Sequence, residues 1–281
     1  MSAMLTIEDH RRDAAGLLYV YPVISRRAGG VSVGINLNVN NACNWACVYC
    51  QVENLSKGGP PPLDQERLAT ELTAFLHQAI DGDFMLRQVP EGARRLVDVA
   101  FSGNGEPTSA AEFKAAVERV QAVLAQFGLL GKLPVRLITN GSLLHRPLVQ
   151  EGVRRLGQMG GEVWFKLDRA DTAGMLQVNG VNDQPQRVQE RLRCCAGLAP
   201  TWVQTCWFGM DGEVPSAHAL SLYCDLLLPL APLLAGVHLY GLARPSCQPA
   251  ANRLHRLDAD QLQAIAVDIQ NKTGIRVMVS P

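Results

Sequence analysis

Cys43, Cys47 and Cys50 fall within eight residues of one another, in the segment Asn40-Asn-Ala-Cys-Asn-Trp-Ala-Cys-Val-Tyr-Cys50. Three thiolates on one short loop can face the same corner of an iron–sulfur cubane, a cluster that four cysteines hold when it is fully ligated. With no fourth thiol beside them, one iron is left open, and an open iron can bind a substrate. A structural zinc site would need a fourth Cys or His close by, and the loop supplies none. The remaining cysteines, Cys194, Cys195, Cys206, Cys224 and Cys247, are scattered. The six histidines show no metal-ligand spacing, and no P-loop or Ser–His–Asp order stands out.

Further polar clusters recur downstream. Ser102-Gly-Asn-Gly-Glu-Pro-Thr108 combines glycines, which let backbone approach a ligand closely, with Glu106, which can accept a hydrogen bond from an ammonium. Asn140-Gly-Ser142 is a turn sequence with two polar side chains. Lys166 and Asp168, in Trp164-Phe-Lys-Leu-Asp168, emerge on one face of a strand. Arg244 and Cys247 follow another, in Tyr240-Gly-Leu-Ala-Arg-Pro-Ser-Cys247.

The elements that must position these groups alternate. Residues 33–39 pair apolar with polar positions as a strand does, and residues 64–80 open on an N-cap Asp and carry Leu68, Leu72, Phe75 and Leu76 at helical spacing. Strands over 97–101, 135–138, 163–167, 202–208 and 237–240 then alternate with helices over 110–127, 146–156, 186–195, 216–228 and 258–273. Residues 275–279 could add one more strand. This rhythm predicts βαβ units and a parallel sheet, either closing partly into a barrel or opening into a doubly wound sheet. In both cases chemistry belongs at the C-terminal ends of the strands, where each polar cluster falls. Residues 1–30 fit neither pattern and read as an N-terminal extension, with residues 31–281 as the main domain.

Cys43-x3-Cys47-x2-Cys50, with Tyr49 before the last cysteine, resembles the signature of the radical S-adenosylmethionine (radical SAM) superfamily. The Gly-Asn-Gly-Glu-Pro element is similar to that family's glycine–glutamate–proline segment, although it reads Asn104-Gly105-Glu106 where Gly-Gly-Glu is commoner. The resemblance implies a partial TIM barrel, a (β/α)6 sheet, and two cofactors, a 4Fe–4S cluster on the three cysteines and S-adenosylmethionine on the open iron. It implies reductive cleavage to a 5′-deoxyadenosyl radical, driven by a reductant such as flavodoxin or ferredoxin. It further implies that Tyr49 lies near the adenine, and that Asn104, Gly105 and Glu106 meet the methionine amino group. Asn140, Ser142, Lys166 and Asp168 would contact ribose, carboxylate or substrate. Cys206 and Cys247 are candidate hydrogen-atom donors.

Composition narrows the substrate. The 281 residues carry 26 basic against 26 acidic side chains, so the overall field does not attract polyanions. The resemblance implies a small molecule or an RNA base as substrate, with the neutral charge standing against the RNA base. A peptide is disfavoured because family members that modify peptides carry extra cysteine-rich C-terminal domains, and only Cys247 follows the sixth strand. The N-terminus shows no secretory pattern, and the apolar run 219–235 is broken by Asp225, Pro229 and Pro232. The chain reads as cytoplasmic, without a membrane partner. The alternative to an enzyme is an electron-transfer or redox-sensing iron–sulfur protein, with Cys206 or Cys247 as a fourth ligand.

Overall fold

A computed structural model describes residues 4–6, 16–25 and 28–280. His10, much of the extension assigned to residues 1–30, and Pro281 lie outside the described residues. Eight strands form one sheet: β1 (Val20–Ser25), β2 (Gly30–Ile35), β3 (Leu96–Phe101), β4 (Val135–Thr139), β5 (Glu162–Lys166), β6 (Thr201–Cys206), β7 (Gly236–Tyr240) and β8 (Val277–Ser280). Their order across the sheet is their order along the chain. β1 pairs antiparallel with β2, and every other pairing is parallel.

That order decides between the two architectures the periodicity allows. A doubly wound sheet reverses direction at a switch point. Here each crossover steps to the next strand in the same direction, and right-handed crossovers then place every helix on one face. The helices of eight or more residues are α1 (Gln65–Ile80), α2 (Phe113–Gln126), α3 (Pro147–Gln158), α4 (Thr172–Asn179), α5 (Pro185–Ala196), α6 (Ala217–Leu227) and α7 (Ala259–Thr273). The sheet curls into a half-barrel with an open concave side, the partial barrel that the resemblance implies.

Alternation along the strands separates two chemistries. Val33, Ile35, Val99, Phe101, Leu137, Val163, Phe165, Val203 and Leu239 are fully buried, in one core with Leu68, Leu72, Val117, Val120, Val153 and Leu262 of the helices. Each such side chain contributes roughly 1.5–3 kcal/mol through burial. The intervening positions (Ser32, Asp98, Arg136, Trp164, Lys166 and Gln204) line the concave lumen. A strand with one greasy and one polar face is satisfied only where the second face meets a cavity or solvent.

Three departures from the sequence expectations have local causes. The first parallel strand spans Gly30–Ile35 rather than 33–39. Beyond Ile35, asparagine side chains replace ladder bonds: Asn36 Oδ1 accepts from the Asn38 and Asn104 amides, both at 3.1 Å, and Asn38 Nδ2 donates to Ala42 O at 2.8 Å. Residues 20–25 join the main sheet as its antiparallel edge strand, a position that tolerates Pro22. The Glu71 carboxylate on α1 anchors the approach to that strand by accepting from the Leu18 and Tyr19 amides at 3.0 and 2.7 Å. Helix α4 was not expected at all.

Candidate active site

The cysteine loop leaves β2 and crosses the C-terminal mouth of the half-barrel. It is pinned from two sides. At the end of α4, Asn179 O accepts from Ala46 N at 3.0 Å and Val178 O from Val48 N at 2.9 Å. Opposite, Ser246 Oγ donates to Val48 O at 2.7 Å, Gln248 Nε2 to Val52 O at 2.8 Å, and Cys247 N to Cys50 O at 2.9 Å. Two glycines let the floor of the loop close in. A Cβ on Gly105 would lie 2.2 Å from Ala42 O, and Gly141, at φ +68°, packs against the face of Phe165.

All three cysteines, with Tyr49, Gly105, Glu106, Asn140 and Lys166, line a single cavity of about 390 Å³ that continues down the lumen. Burial pushes the Cys43 thiol up to about 11 and the Cys47 thiol up to about 12, with the nearby Glu106 and Asp168 carboxylates, respectively, acting in the same direction. Asn179 Nδ2 lies 3.3 Å from Cys47 Sγ and favours the thiolate. In the metal-free chain, then, Cys43 and Cys47 stay protonated near neutral pH, whereas Cys247 is exposed. Iodoacetamide at pH 8 should modify Cys247 first and Cys43 and Cys47 at least about tenfold more slowly, because the thiolate is the nucleophile. Peptide mass spectrometry over a time course checks the order, and equal rates would contradict the burial.

Glu106 is buried, and its carboxylate is heavily engaged. One oxygen accepts from Thr108 N (3.1 Å), Thr108 Oγ1 (2.6 Å) and Thr139 Oγ1 (2.6 Å), and the other from Asn140 N (2.7 Å). Burial still dominates and raises its pKa. Asn104 donates from Nδ2 to Asn41 Oδ1 at 2.7 Å, which ties the glycine-rich turn to the cysteine loop. Asn140 and Ser142 form a closed set with Asn44: Asn140 Nδ2 donates to Asn44 Oδ1 at 2.9 Å, Asn44 Nδ2 to Ser142 Oγ at 2.8 Å, and Ser142 Oγ to Asn140 Oδ1 at 2.7 Å.

Asp168 sits behind the cavity wall rather than in it. It is 1% exposed and accepts from the Tyr49 hydroxyl, from Asn179 Nδ2 at 2.8 Å and from Cys206 N at 2.8 Å. The carboxylate therefore fixes the cysteine loop, α4 and the end of β6 to one another. Lys166 donates to Tyr240 Oη at 2.9 Å, and its ammonium lies 5.0 Å from the centre of the Tyr49 ring. Burial disfavours that charge, but the Tyr240 oxygen, Asp168 and Cys47 outweigh it and hold the lysine above its ordinary pKa. Cys206 is buried on the cavity wall, its thiol raised by burial, and Cys247 does not line the cavity.

The sequence reading passed over Asn44, Asn179, Tyr240 and Gln248. Asn179 had a readable signal, because Asp171 and Gly180 bracket an eight-residue helix: the Asp171 side chain accepts from Gly174 N at 2.8 Å, and Gly180 takes the left-handed conformation that ends helices. Gln248 and Tyr240 carry no local signal of their function.

Among the described residues, no three His, Cys, Asp or Glu side chains group as a single metal ion requires. The three cysteines line one cavity together.

No protein-family model matches the chain. Among curated proteins, the GTPase Obg of Brachyspira hyodysenteriae (strain ATCC 49526 / WA1) is 26% identical over 125 residues, which is 44% of this chain and 16% of that protein. No Gly-x4-Gly-Lys-Ser/Thr segment accompanies that match. Among solved structures, a radical SAM methyltransferase from Sphaerobacter thermophilus aligns with a TM-score of 0.63 over 93% of this chain and 68% of its own, at 16% identity. TYW1 with a lysine–pyruvate adduct bound aligns with a TM-score of 0.61 over 87% and 74%, at 15% identity. SuiB of Streptococcus suis bound to S-adenosylmethionine aligns with a TM-score of 0.53 at 14% identity, over 88% of this chain, which spans 45% of SuiB. The shared property is the fold, which the radical SAM methyltransferase from Sphaerobacter thermophilus also has.

Proposed function

We propose that the chain is a radical SAM enzyme acting on a small molecule or a single RNA base. The observation that carries this reading is that Cys43, Cys47, Cys50 and Glu106 line one cavity at the C-terminal mouth of a half-barrel. Cys43, Cys47 and Cys50 are the residues suited to hold a 4Fe–4S cluster, and S-adenosylmethionine would occupy the adjoining space. When bound, the cluster supplies the electron that breaks the sulfonium carbon–sulfur bond, giving methionine and a 5′-deoxyadenosyl radical.

The chain's own part is binding, orientation and exclusion of water. Backbone at Asn104 and Gly105, with the remaining acceptor capacity of Glu106, offers partners to an amino group. Lys166 supplies a fixed positive charge for a carboxylate. Tyr49, held by Asp168 and packed on Phe208 at 5.5 Å between ring centres, presents a rigid aromatic wall for the adenine. Asn140 and Ser142 hold the cysteine loop through Asn44, and Asn140 lines the cavity on the side suited to the ribose. Asp168 acts by positioning these groups rather than by direct contact.

No helix among the described residues is long and apolar enough to cross a membrane. Use of reduced thiols as cluster ligands suits a reducing compartment, so the cytoplasm, with flavodoxin or ferredoxin as reductant, fits the reading.

The test is anaerobic reconstitution with iron and sulfide, followed by dithionite and S-adenosylmethionine. The expected product is 5′-deoxyadenosine, formed slowly even without substrate and detected by liquid chromatography. A fully loaded protein that leaves the sulfonium intact would refute the assignment and favour an electron-transfer role.

A further inference from the structure

Below the cysteine loop the lumen carries polar groups that the chemistry above does not use. Gln204 on β6 is 94% buried, being 6% exposed, and lines the cavity, yet its Oε1 has no hydrogen-bond partner. A buried acceptor left unmade costs about 1–3 kcal/mol unless a ligand or water donates to it. Its terminal torsion is soft, so the carboxamide can turn toward an occupant.

The charges beside it are unequal. Arg136 on β4 is bracketed by two carboxylates, pairing with Asp98 on β3 and, through Nε at 2.7 Å, with Glu162 on β5. One guanidinium against two carboxylates leaves this group net negative, with Ser32 Oγ also donating to Asp98, and with Glu162 lying outside the cavity lining. Trp164 donates its indole N–H to Glu162 at 3.0 Å and turns its ring toward the cavity, with the Arg136 guanidinium 5.0 Å from the ring centre. Two other cations line the cavity. Lys166, beside Gln204 in the β5–β6 ladder, is engaged with Tyr240 and faces Asp168 and Cys47, and Arg244, in the segment after β7, donates from Nη1 to Gln51 Oε1 at 3.1 Å.

We propose that this lower lumen is a substrate subsite for a planar group that donates N–H bonds, an amine, amidine or amino-heterocycle, read by Gln204 Oε1 and the Asp98 side of the lumen, and that it rejects carboxylates. The inference rests on the radical SAM reading, since it names the substrate class for that site, but its binding chemistry is separable.

The experiment uses the reconstituted chain with S-adenosylmethionine and two flat probes of matched shape, benzamidine and benzoate, titrated by calorimetry. Benzamidine is expected to bind at least about fivefold more tightly than benzoate, the scale of one or two hydrogen bonds. Gln204→Leu should weaken benzamidine about fivefold, and Gln204→Glu, which keeps an oxygen acceptor there, should retain it. Benzoate binding as tightly as benzamidine, no benzamidine binding, or affinity unchanged in Gln204→Leu overturns the proposal. The wild-type comparison decides even where a variant fails to fold. 5′-Deoxyadenosine measured in the same samples separates the two claims. Cleavage without probe selectivity overturns the subsite alone, and selectivity in a loaded protein without cleavage overturns the radical reading alone.

Discussion

Replacing Cys47 with alanine is expected to remove the iron–sulfur cluster and, with it, 5′-deoxyadenosine formation, by on the order of 100-fold or more given what even indirect perturbation of metal sites costs. The loss should be chemical rather than structural. The backbone on either side of Cys47 is pinned to α4 through the Ala46 and Val48 amides, and no backbone bond depends on the thiol. Removing one sulfur atom from a half-buried loop site should shift the stability of the metal-free protein by about 1 kcal/mol. Iron content, the visible absorption of the cluster and chemical denaturation together check this. Cys206→Ala and Cys247→Ala serve as the contrasting pair. Both should keep about four irons per chain, the content of one cubane. If either loses iron as Cys47→Ala does, that cysteine is the fourth ligand and the electron-transfer alternative prevails. Cys206 is the more searching control, because it lines the same cavity as the three loop cysteines.

The cysteine triplet stands out as a candidate ligand set because ligand chemistry demands a residue type at a spacing, and both can be read without knowledge of the fold. The strands were legible because apolar residues recur every second position wherever one face packs on helices. The same alternation placed Asp98, Arg136, Trp164 and Gln204 on the opposite face, but a polar residue inside a strand looks alike whether it faces solvent or a lumen. Only the side-by-side pairing of β3, β4 and β5 makes Arg136 the partner of both Asp98 and Glu162. Helix α4 escaped notice because eight residues, Thr172–Asn179, are too short to show a stripe, and it serves the cysteine loop through two main-chain carbonyls together with the Asn179 side chain. Asp168 was read as a possible ligand contact. Its burial, and its three bonds to Tyr49, Asn179 and Cys206, instead make it a brace, a distinction that requires knowing what lies behind the strand end.

Glu106→Gln should separate the structural role of that carboxyl from its role toward the ligand. Four donors converge on the wild-type group, backbone N–H groups of Thr108 and Asn140 on different oxygens among them. A glutamine has one oxygen. With its NH2 facing Asn140 it meets a donor, and flipped it meets the Thr108 amide instead, so one backbone bond is broken in either orientation. The expected cost is about 1–3 kcal/mol, read by denaturant unfolding. The pH dependence supplies a second signature in the metal-free chain. Burial raises the Glu106 pKa above its ordinary value, so the folded state holds that proton more tightly than the unfolded chain does. The associated stability is fully present below the unfolded value and is lost as pH rises through the folded one. Glutamine cannot titrate, so the gap between wild type and variant should be widest at acid pH and narrow toward neutrality. Iron content should be retained, because Glu106 holds no cluster position in this reading, while S-adenosylmethionine affinity should fall about tenfold with the loss of a charge-assisted bond. Retained affinity together with the stability loss would leave Glu106 as the tie between the ends of β3 and β4 and remove it from contact with the amino group.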